Sequence, residues 1–442
     1  MAESEYQKNS ITLMGAVAMG TGVMIGAGIF ALTGQIAELA GAWFPLSFVA
    51  GAIVTAFSAY TYIKMSSAYP SAGGIAMILE KAFGKGAVAA GGALLMAFSM
   101  VINESLVART FGTYAVRPFE LGDDSLVVPI LAVTLIVSVY LLNVTGNRAV
   151  GLFSIVMAVI KVGGIALFGM AALWTGGFGF QPRAEELPIL GFTASVAFAI
   201  LAFKGFTTIT NSGAELVEPH RNVGRAIILS ILVCAVVYLL VAFAVGSSLP
   251  LDEIVIAKDY ALARAAEPAL GAVGFYLTIL LALVATASGL VASVFAVSRM
   301  LAMLTEMQMI PHSHFGMSGP LREHTLVYTV VTAALLAVLF DLSRIASLGV
   351  FFYLVMDILI HVGVFRRLRH EIGAHGGILL AAIALDGLIL TVFTVVKLRS
   401  DPLIVAIALI AMAAVFVFER FYLRRWLADS QRHPGDHATA DK

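Results

Sequence analysis

The length of its apolar runs constrains this chain more than any other feature. A helix crossing the hydrocarbon core of a bilayer needs roughly 20 mostly apolar residues. About twelve such runs follow one another, near 11–38, 42–65, 86–115, 125–143, 148–175, 189–214, 223–247, 269–302, 325–340, 344–365, 375–397 and 402–422. In lipid every backbone polar group must be satisfied internally, and runs of this length do so as helices. The charge content agrees: only 12% of the 442 residues are charged, about half the usual share of a soluble domain. The fold class read from the chain is therefore an all-α membrane protein. With a formal net charge of zero, no bulk charge draws it to nucleic acid. The single cysteine, Cys234, lies in an apolar stretch and reads as a small buried residue. Metal and redox cysteine motifs are absent, and no metal or cofactor is expected.

Lysine and arginine set the orientation, because cytoplasmic loops carry the basic excess. With the N-terminus placed in the cytoplasm, about 17 basic residues fall on that side and about seven outside. The inner group includes Lys64, Lys81, Lys85, Arg148, Arg221, Arg225, Arg322, Arg366, Arg367, Arg369, Arg424 and Arg425. The proposed outer loops hold Asp123–Asp124, Glu185–Glu186 and Asp252–Glu253. Both termini are thus expected in the cytoplasm, as polar tails at 1–10 and 427–442. The connections at 66–85 and 303–324 carry Pro70, Gly73, Gly74, Pro311 and Pro320 and read as turns. The outer segment 248–268 has room for a short surface helix. The first apolar run exceeds a signal-peptide core and reads as a retained first span.

Two spans are interrupted. The first contains Gly20, Gly22, Gly26 and Gly28 near its middle. A glycine costs a helix about 1 kcal/mol against alanine and lets the backbone leave helical geometry easily. Close packing through small residues would explain the same pattern. The sixth span reads Ala202-Phe203-Lys204-Gly205-Phe206-Thr207-Thr208, with Asn211, Ser212 and Gly213 following. Paired interrupted helices five spans apart point to a transporter built from inverted repeats. A break at membrane depth frees N–H groups on one half-helix and C=O groups on the other. The N–H end suits a carboxylate and the C=O end an ammonium; a zwitterionic amino acid carries both.

These residues resemble the amino acid–polyamine–organocation superfamily. Gly22 through Phe30 resemble its first-helix motif Gly-x-x-Ile-Gly-Ser-Gly-Ile-Phe, with Ala27 in place of serine. Ala68 through Gly74 resemble its loop after the second helix, and Glu215 through Arg221 its Glu-x-x-x-Pro-x-Arg segment after the sixth. Ser298-Arg299 and Ile310-Pro311 are similar to its landmarks near the end of the eighth. The resemblance implies a five-plus-five inverted repeat, with repeats at 11–175 and 189–365 and two peripheral helices at 375–422. It implies alternating access, driven by an ion gradient or by exchange. The substrate carboxylate would then meet amides near Ala27 and Gly28, in the segment from Met24 through Ile25 and Gly26. The ammonium would meet carbonyls near Met24 and just before Gly205, with Phe203 as a gate or pocket wall. The family's usual Tyr-x-Glu at the end of the second helix reads Tyr62-Ile63-Lys64 here.

Ionisable residues at membrane depth are expensive and are functional candidates. Lys161, mid-span in the fifth helix, resembles the lysine that proton-linked members carry where sodium-coupled relatives hold a sodium ion. A tether to first-helix carbonyls is the simpler role. Glu104, in the third helix, is expected to share a site with Lys161 and titrate with it; a static ion pair or a pore-facing carboxylate would also account for it. Lys204 precedes the second break, where it would face a substrate or snorkel away. Asp357 and His361, one turn apart in the tenth span, form a secondary proton site or a cap on polar helix contacts. Arg109 and Arg117 read as interfacial anchors.

The reading is therefore proton-coupled amino acid symport, with no cofactor but a proton gradient and only the bilayer and a small solute as partners. Exchange of amino acids or amines is the alternative. No HExxH or GxSxG motif and no Cys/His cluster points to an enzyme, and no filter-like loop to a channel. A receptor or scaffold keeping the fold without transport is the remaining class.

Overall fold

A computed structural model describes residues 9–71, 73–122, 125–144, 147–177, 187–307 and 321–432. The expected acidic pairs Asp123–Asp124 and Glu185–Glu186, and the landmark Ile310–Pro311, lie outside the described residues.

The helices are α1 (Leu13–Ala40), α2 (Phe44–Ala68), α3 (Gly74–Phe83), α4 (Ala87–Val116), α5 (Val127–Val144) and α6 (Asn147–Gly176). After them come α7 (Ile189–Phe203), α8 (Thr207–Asn211), α9 (Pro219–Ser248), α10 (Leu251–Ile256) and α11 (Ala261–Glu306). The chain ends with α12 (Leu321–Leu339), α13 (Leu342–Gly363), α14 (Gly376–Ser400) and α15 (Pro402–Arg432). Among the described residues, eight helical segments are long and apolar enough to cross a membrane, and four further apolar segments are shorter. The chain is an all-helical, multi-pass membrane protein.

Local signals place the ends. The Thr12 hydroxyl accepts from the Gly15 amide at 3.1 Å and starts α1. Asp341 does the same for α13, accepting from the Arg344 amide at 2.8 Å, which explains how only Phe340 and Asp341 part α12 from α13. Pro219 opens α9 at the first helical position. α11 is longer than the expected span because a second helix precedes it. Pro268 and Gly271, at φ +64°, bend the chain where only glycine turns at little cost.

The segment 66–85 departs from expectation. Much of it is α3, which buries Ile75, Ile78, Leu79 and Ala82. Pro70 and Gly73 lie in a turn as expected, and Gly74, at φ +42° against Asn211, opens the helix that follows it. The short helix expected within 248–268 is present as α10.

The core gathers around α1, which packs against α6, α7, α9 and α11. α11 in turn packs on α4. α14 and α15 leave Leu388, Leu409 and Ile410 outward, as lipid-facing helices do. Just before α1, Ile11 pairs with the strand-like stretch after α8. Its amide donates to Glu215 O, and the Val217 amide donates to Ile11 O, both at 3.0 Å. At the other end of α1, Glu38 meets Lys258 at 2.8 Å, and Gln35 donates to Asp259 at 2.6 Å. Arg344 reaches Asp401 at 2.7 Å in the same region.

Candidate functional site

Both expected interruptions are present, and both are narrower than expected. In α1 the residue outside helical geometry is Ile25, at φ −83° and ψ 20°. Between α7 and α8 the chain tightens into a 3₁₀ turn over Lys204–Phe206. The glycines of the breaks serve approach rather than unusual torsion. None has a positive φ. A Cβ on Gly205 would lie 2.7 Å from the Met24 nitrogen, and one on Gly28 would lie 3.1 Å from the Ala202 Cα. The two interrupted segments therefore touch backbone to backbone, because glycine stands at each contact.

Carbonyls beside the α1 kink are taken by side chains from other helices. The Lys161 ammonium, on α6, donates to Gly22 O at 2.6 Å and to the Ser288 hydroxyl of α11 at 3.2 Å. The Tyr238 hydroxyl, on α9, lies 2.6 Å from Met24 O and 3.1 Å from Ala202 O. It has one hydrogen for two acceptors, one from each interrupted helix. The Phe203 ring packs on Tyr238 with centroids 5.0 Å apart. Met24, Ile25, Phe203, Lys204 and Gly205 are all buried. Sequence reasoning missed Tyr238; the signal was a tyrosine inside the apolar seventh run, whose hydroxyl needs a partner at that depth.

The structure does not bring Glu104 to Lys161. Glu104 Oε1 accepts from Ser293 at 3.3 Å, and the cation acting on its carboxylate is Lys204. The expected Glu104–Lys161 pair is replaced by a Glu104–Lys204 neighbourhood. The two lysines approach from different sides: Lys161 from α6 meets α1 and α11, whereas Lys204 reaches from the α7 turn toward α4. Lys204 neither snorkels nor points at α1. Its ammonium donates to Ser99 O at 2.6 Å and lies 2.9 Å from the Ser99 hydroxyl. It thereby pins the 3₁₀ turn to α4.

Asp357 and His361 do share a face, with His361 Nε2 3.6 Å from Asp357 Oδ1. Tyr62, from the altered Tyr-x-Glu position, donates to Asp357 Oδ1 at 2.5 Å. Arg109 donates to Ala337 O at 3.2 Å, and Arg117 stacks 3.8 Å from the Tyr260 ring centroid.

Comparison with known proteins gives the family. The sequence profile of the family described as "Amino acid permease" matches residues 11–418. The inner membrane transport protein YbaT of Escherichia coli is 31% identical over 84% of this chain and 86% of its own length. The branched-chain amino acid permease BcaP of Lactococcus lactis is 27% identical over 54% of this chain and 55% of its own. The serine/threonine exchanger SteT of Bacillus subtilis is 24% identical over 62% of each chain.

Proposed function

This chain belongs to the amino acid permease family, a family of transporters and not enzymes, and from that premise we propose that it is a secondary active amino acid transporter working by proton-coupled symport. The observation carrying the proposal is the Tyr238 hydroxyl, which lies within hydrogen-bonding reach of a carbonyl from each interrupted helix. Those carbonyls, Met24 O and Ala202 O, are acceptors that a substrate ammonium would use. The amides of Ala27 and Gly28, just past the kink, are the donors for its carboxylate. Met24, Ile25, Gly26, Ala27, Gly28, Phe203 and Gly205 form the binding segment, with Lys204 as a positioning residue that holds the turn on α4. Twelve spans in a five-plus-five inverted repeat, with both termini cytoplasmic, is the topology this reading adopts.

In this reading Lys161 couples the proton. Its charge rests on Gly22 O, and loss of a proton would remove the charge assistance from that hydrogen bond, weaken it and loosen α6 from α1. Glu104, beside Lys204, is the second proton-coupling residue, acting on the α7 turn rather than on Lys161. The resemblance to an exchanger favours one alternative, obligatory exchange. Uptake of labelled amino acids into proteoliposomes decides between them. Symport predicts saturable uptake into empty vesicles that rises with an inward proton gradient, with the gradient dependence lost in Lys161→Gln. Uptake that requires internal amino acid and ignores the gradient refutes symport in favour of exchange. Failure to move any of the common amino acids refutes the substrate class.

A further inference from the structure

One buried ionisable cluster takes no part in that cycle. α13 presents Asp357 and His361 on one face, and α14 delivers Asp386, a lone aspartate in an apolar run. All three side chains are fully buried. His361 Nε2 lies 3.4 Å from Asp386 Oδ2 and 3.6 Å from Asp357 Oδ1. Asp357 is well supplied with donors: the Tyr62 hydroxyl at 2.5 Å and the Ser58 hydroxyl at 2.6 Å, one to each oxygen. Asp386 is not. Neither of its oxygens, and neither imidazole nitrogen of His361, has a partner at hydrogen-bonding geometry.

Charge decides what such a cluster holds. With a neutral imidazole, two carboxylates would share a site of low dielectric, and like charges at that range disfavour each other's ionisation. One proton on His361 leaves a single net negative charge. A second, on Asp386, brings the cluster to neutrality and gives Asp386 the hydrogen it lacks. The titratable groups facing the cluster are Tyr62 from α2 and Tyr353 from α13 itself. Lys204 lies behind the Tyr353 ring, 5.7 Å from its centroid. α4 and α15 also pack on α13, and their buried carboxylates are Glu104 and Glu419. The groups acting on His361 are the two aspartates.

The cluster is wired to the second break. Tyr62 gives its one hydroxyl hydrogen to Asp357, and its ring meets Phe206 edge-on with centroids 5.3 Å apart. Phe206 ends the 3₁₀ turn beside Gly205. One turn beyond His361, α13 passes into a π-helical turn over Val364–Leu368. Such turns break the regular ladder and recur at functional sites.

We propose that Asp357, His361 and Asp386 form a proton-binding site, separate from Lys161 and Glu104, whose protonation state Tyr62 transmits to the α7 turn. Neutralising the cluster weakens the hold of Asp357 on the Tyr62 hydroxyl and frees Phe206 to shift. The use of this site in transport rests on the reading above; its existence does not.

The test therefore contains no substrate. Full-length protein in lipid nanodiscs is titrated while infrared difference spectra follow protonated carboxyl groups. Hydrogen–deuterium exchange over residues 203–212 is read in parallel as protection factors, which removes the intrinsic pH dependence of exchange. The wild type should protonate a carboxyl that is missing in Asp386→Asn. Its protection should change by about fivefold or more over the same interval, the lower end of ordinary coupling between sites. Tyr62→Phe should keep the infrared signal and lose the protection change, a separation that misfolding would not produce. A signal unaltered by Asp386→Asn, or a protection change that survives both variants, overturns the proposal. So does a stoichiometric divalent metal in the purified wild type, which would make the cluster a metal site. None of these results bears on whether amino acids are moved, and absent uptake would leave the proton site standing.

Discussion

Substituting Gly205 with alanine adds one methyl group at the contact between the interrupted helices. That methyl would lie 2.7 Å from the Met24 nitrogen, 2.8 Å from the Met24 Cγ and 3.1 Å from the Val23 Cβ. Ordinary contacts begin near 3.4 Å. The closest neighbour is a backbone atom, so no rotamer change relieves it, and α1 must move by several tenths of an ångström. Overpacking of this kind costs about 1–3 kcal/mol, or roughly five- to 150-fold in the population of the closed α1–α7 contact. The matched control is Gly163→Ala in α6, where the same methyl meets nothing within 4 Å. There alanine gains on the order of 0.5–1 kcal/mol of helix preference instead. Thermal unfolding in detergent should fall for Gly205→Ala and hold or rise for Gly163→Ala. Uptake by Gly205→Ala should drop about tenfold. If Gly205→Ala unfolds and transports like the wild type, the two breaks do not meet as described.

Three further outcomes follow from the same contacts. Tyr238→Phe keeps the ring and removes the shared hydrogen, so it should cost about 1 kcal/mol and lower amino acid uptake. Wild-type uptake would mean that the hydroxyl only packs. A double-mutant cycle between Glu104→Gln and Lys204→Met should show coupling above about 0.5 kcal/mol, whereas Glu104→Gln with Lys161→Met should be additive within that margin; the reverse pattern would restore the Glu104–Lys161 pair. At the C-terminal end of α1, partial burial pulls the Lys258 amine down, but Glu38, Asp259 and Asp341 outweigh it and leave it above the ordinary lysine range. Its contribution is then complete below that range and lost only as pH rises through the higher folded value. Glu38→Gln should loosen this clasp by at most about 1 kcal/mol, read as faster thiol labelling of Gln35→Cys in that background, and in Gln35→Cys with Glu38 intact the labelling should stay constant between neutral and mildly alkaline pH once thiol ionisation is corrected for.

The fold was legible because lipid leaves helices few alternatives. Run length located the helices, and glycine with polar residues marked both breaks. What sequence could not supply was direction. Gly74 reads as a turn residue in isolation, yet it opens a buried helix because α3 packs against α4. The glycines near Ile25 suggested unwinding, and their part in the structure is close approach. Lys161 stood out because an ionisable residue in a long apolar run is expensive, and the tether to a first-helix carbonyl is present at Gly22 O, with Ser288 as a partner that no local pattern announces. Glu104 was matched to the wrong lysine for the same reason: helix rotation, not spacing, decides which of two buried cations a carboxylate meets. Tyr238 and Asp386 stood in apolar runs, and only packing shows what each of them faces.

The two backbone hydrogen bonds joining Ile11 to Glu215 and Val217 have a bearing on how this molecule tolerates change. They lace the foot of α1 to the chain leaving α8, and neither uses a side chain. Random replacement of residues there leaves the latch intact, with proline at position 11 or 217 as the exception, since it takes away the donor itself. Any movement that parts the foot of α1 from the chain leaving α8 must unpick this stitch or carry both of its ends along together.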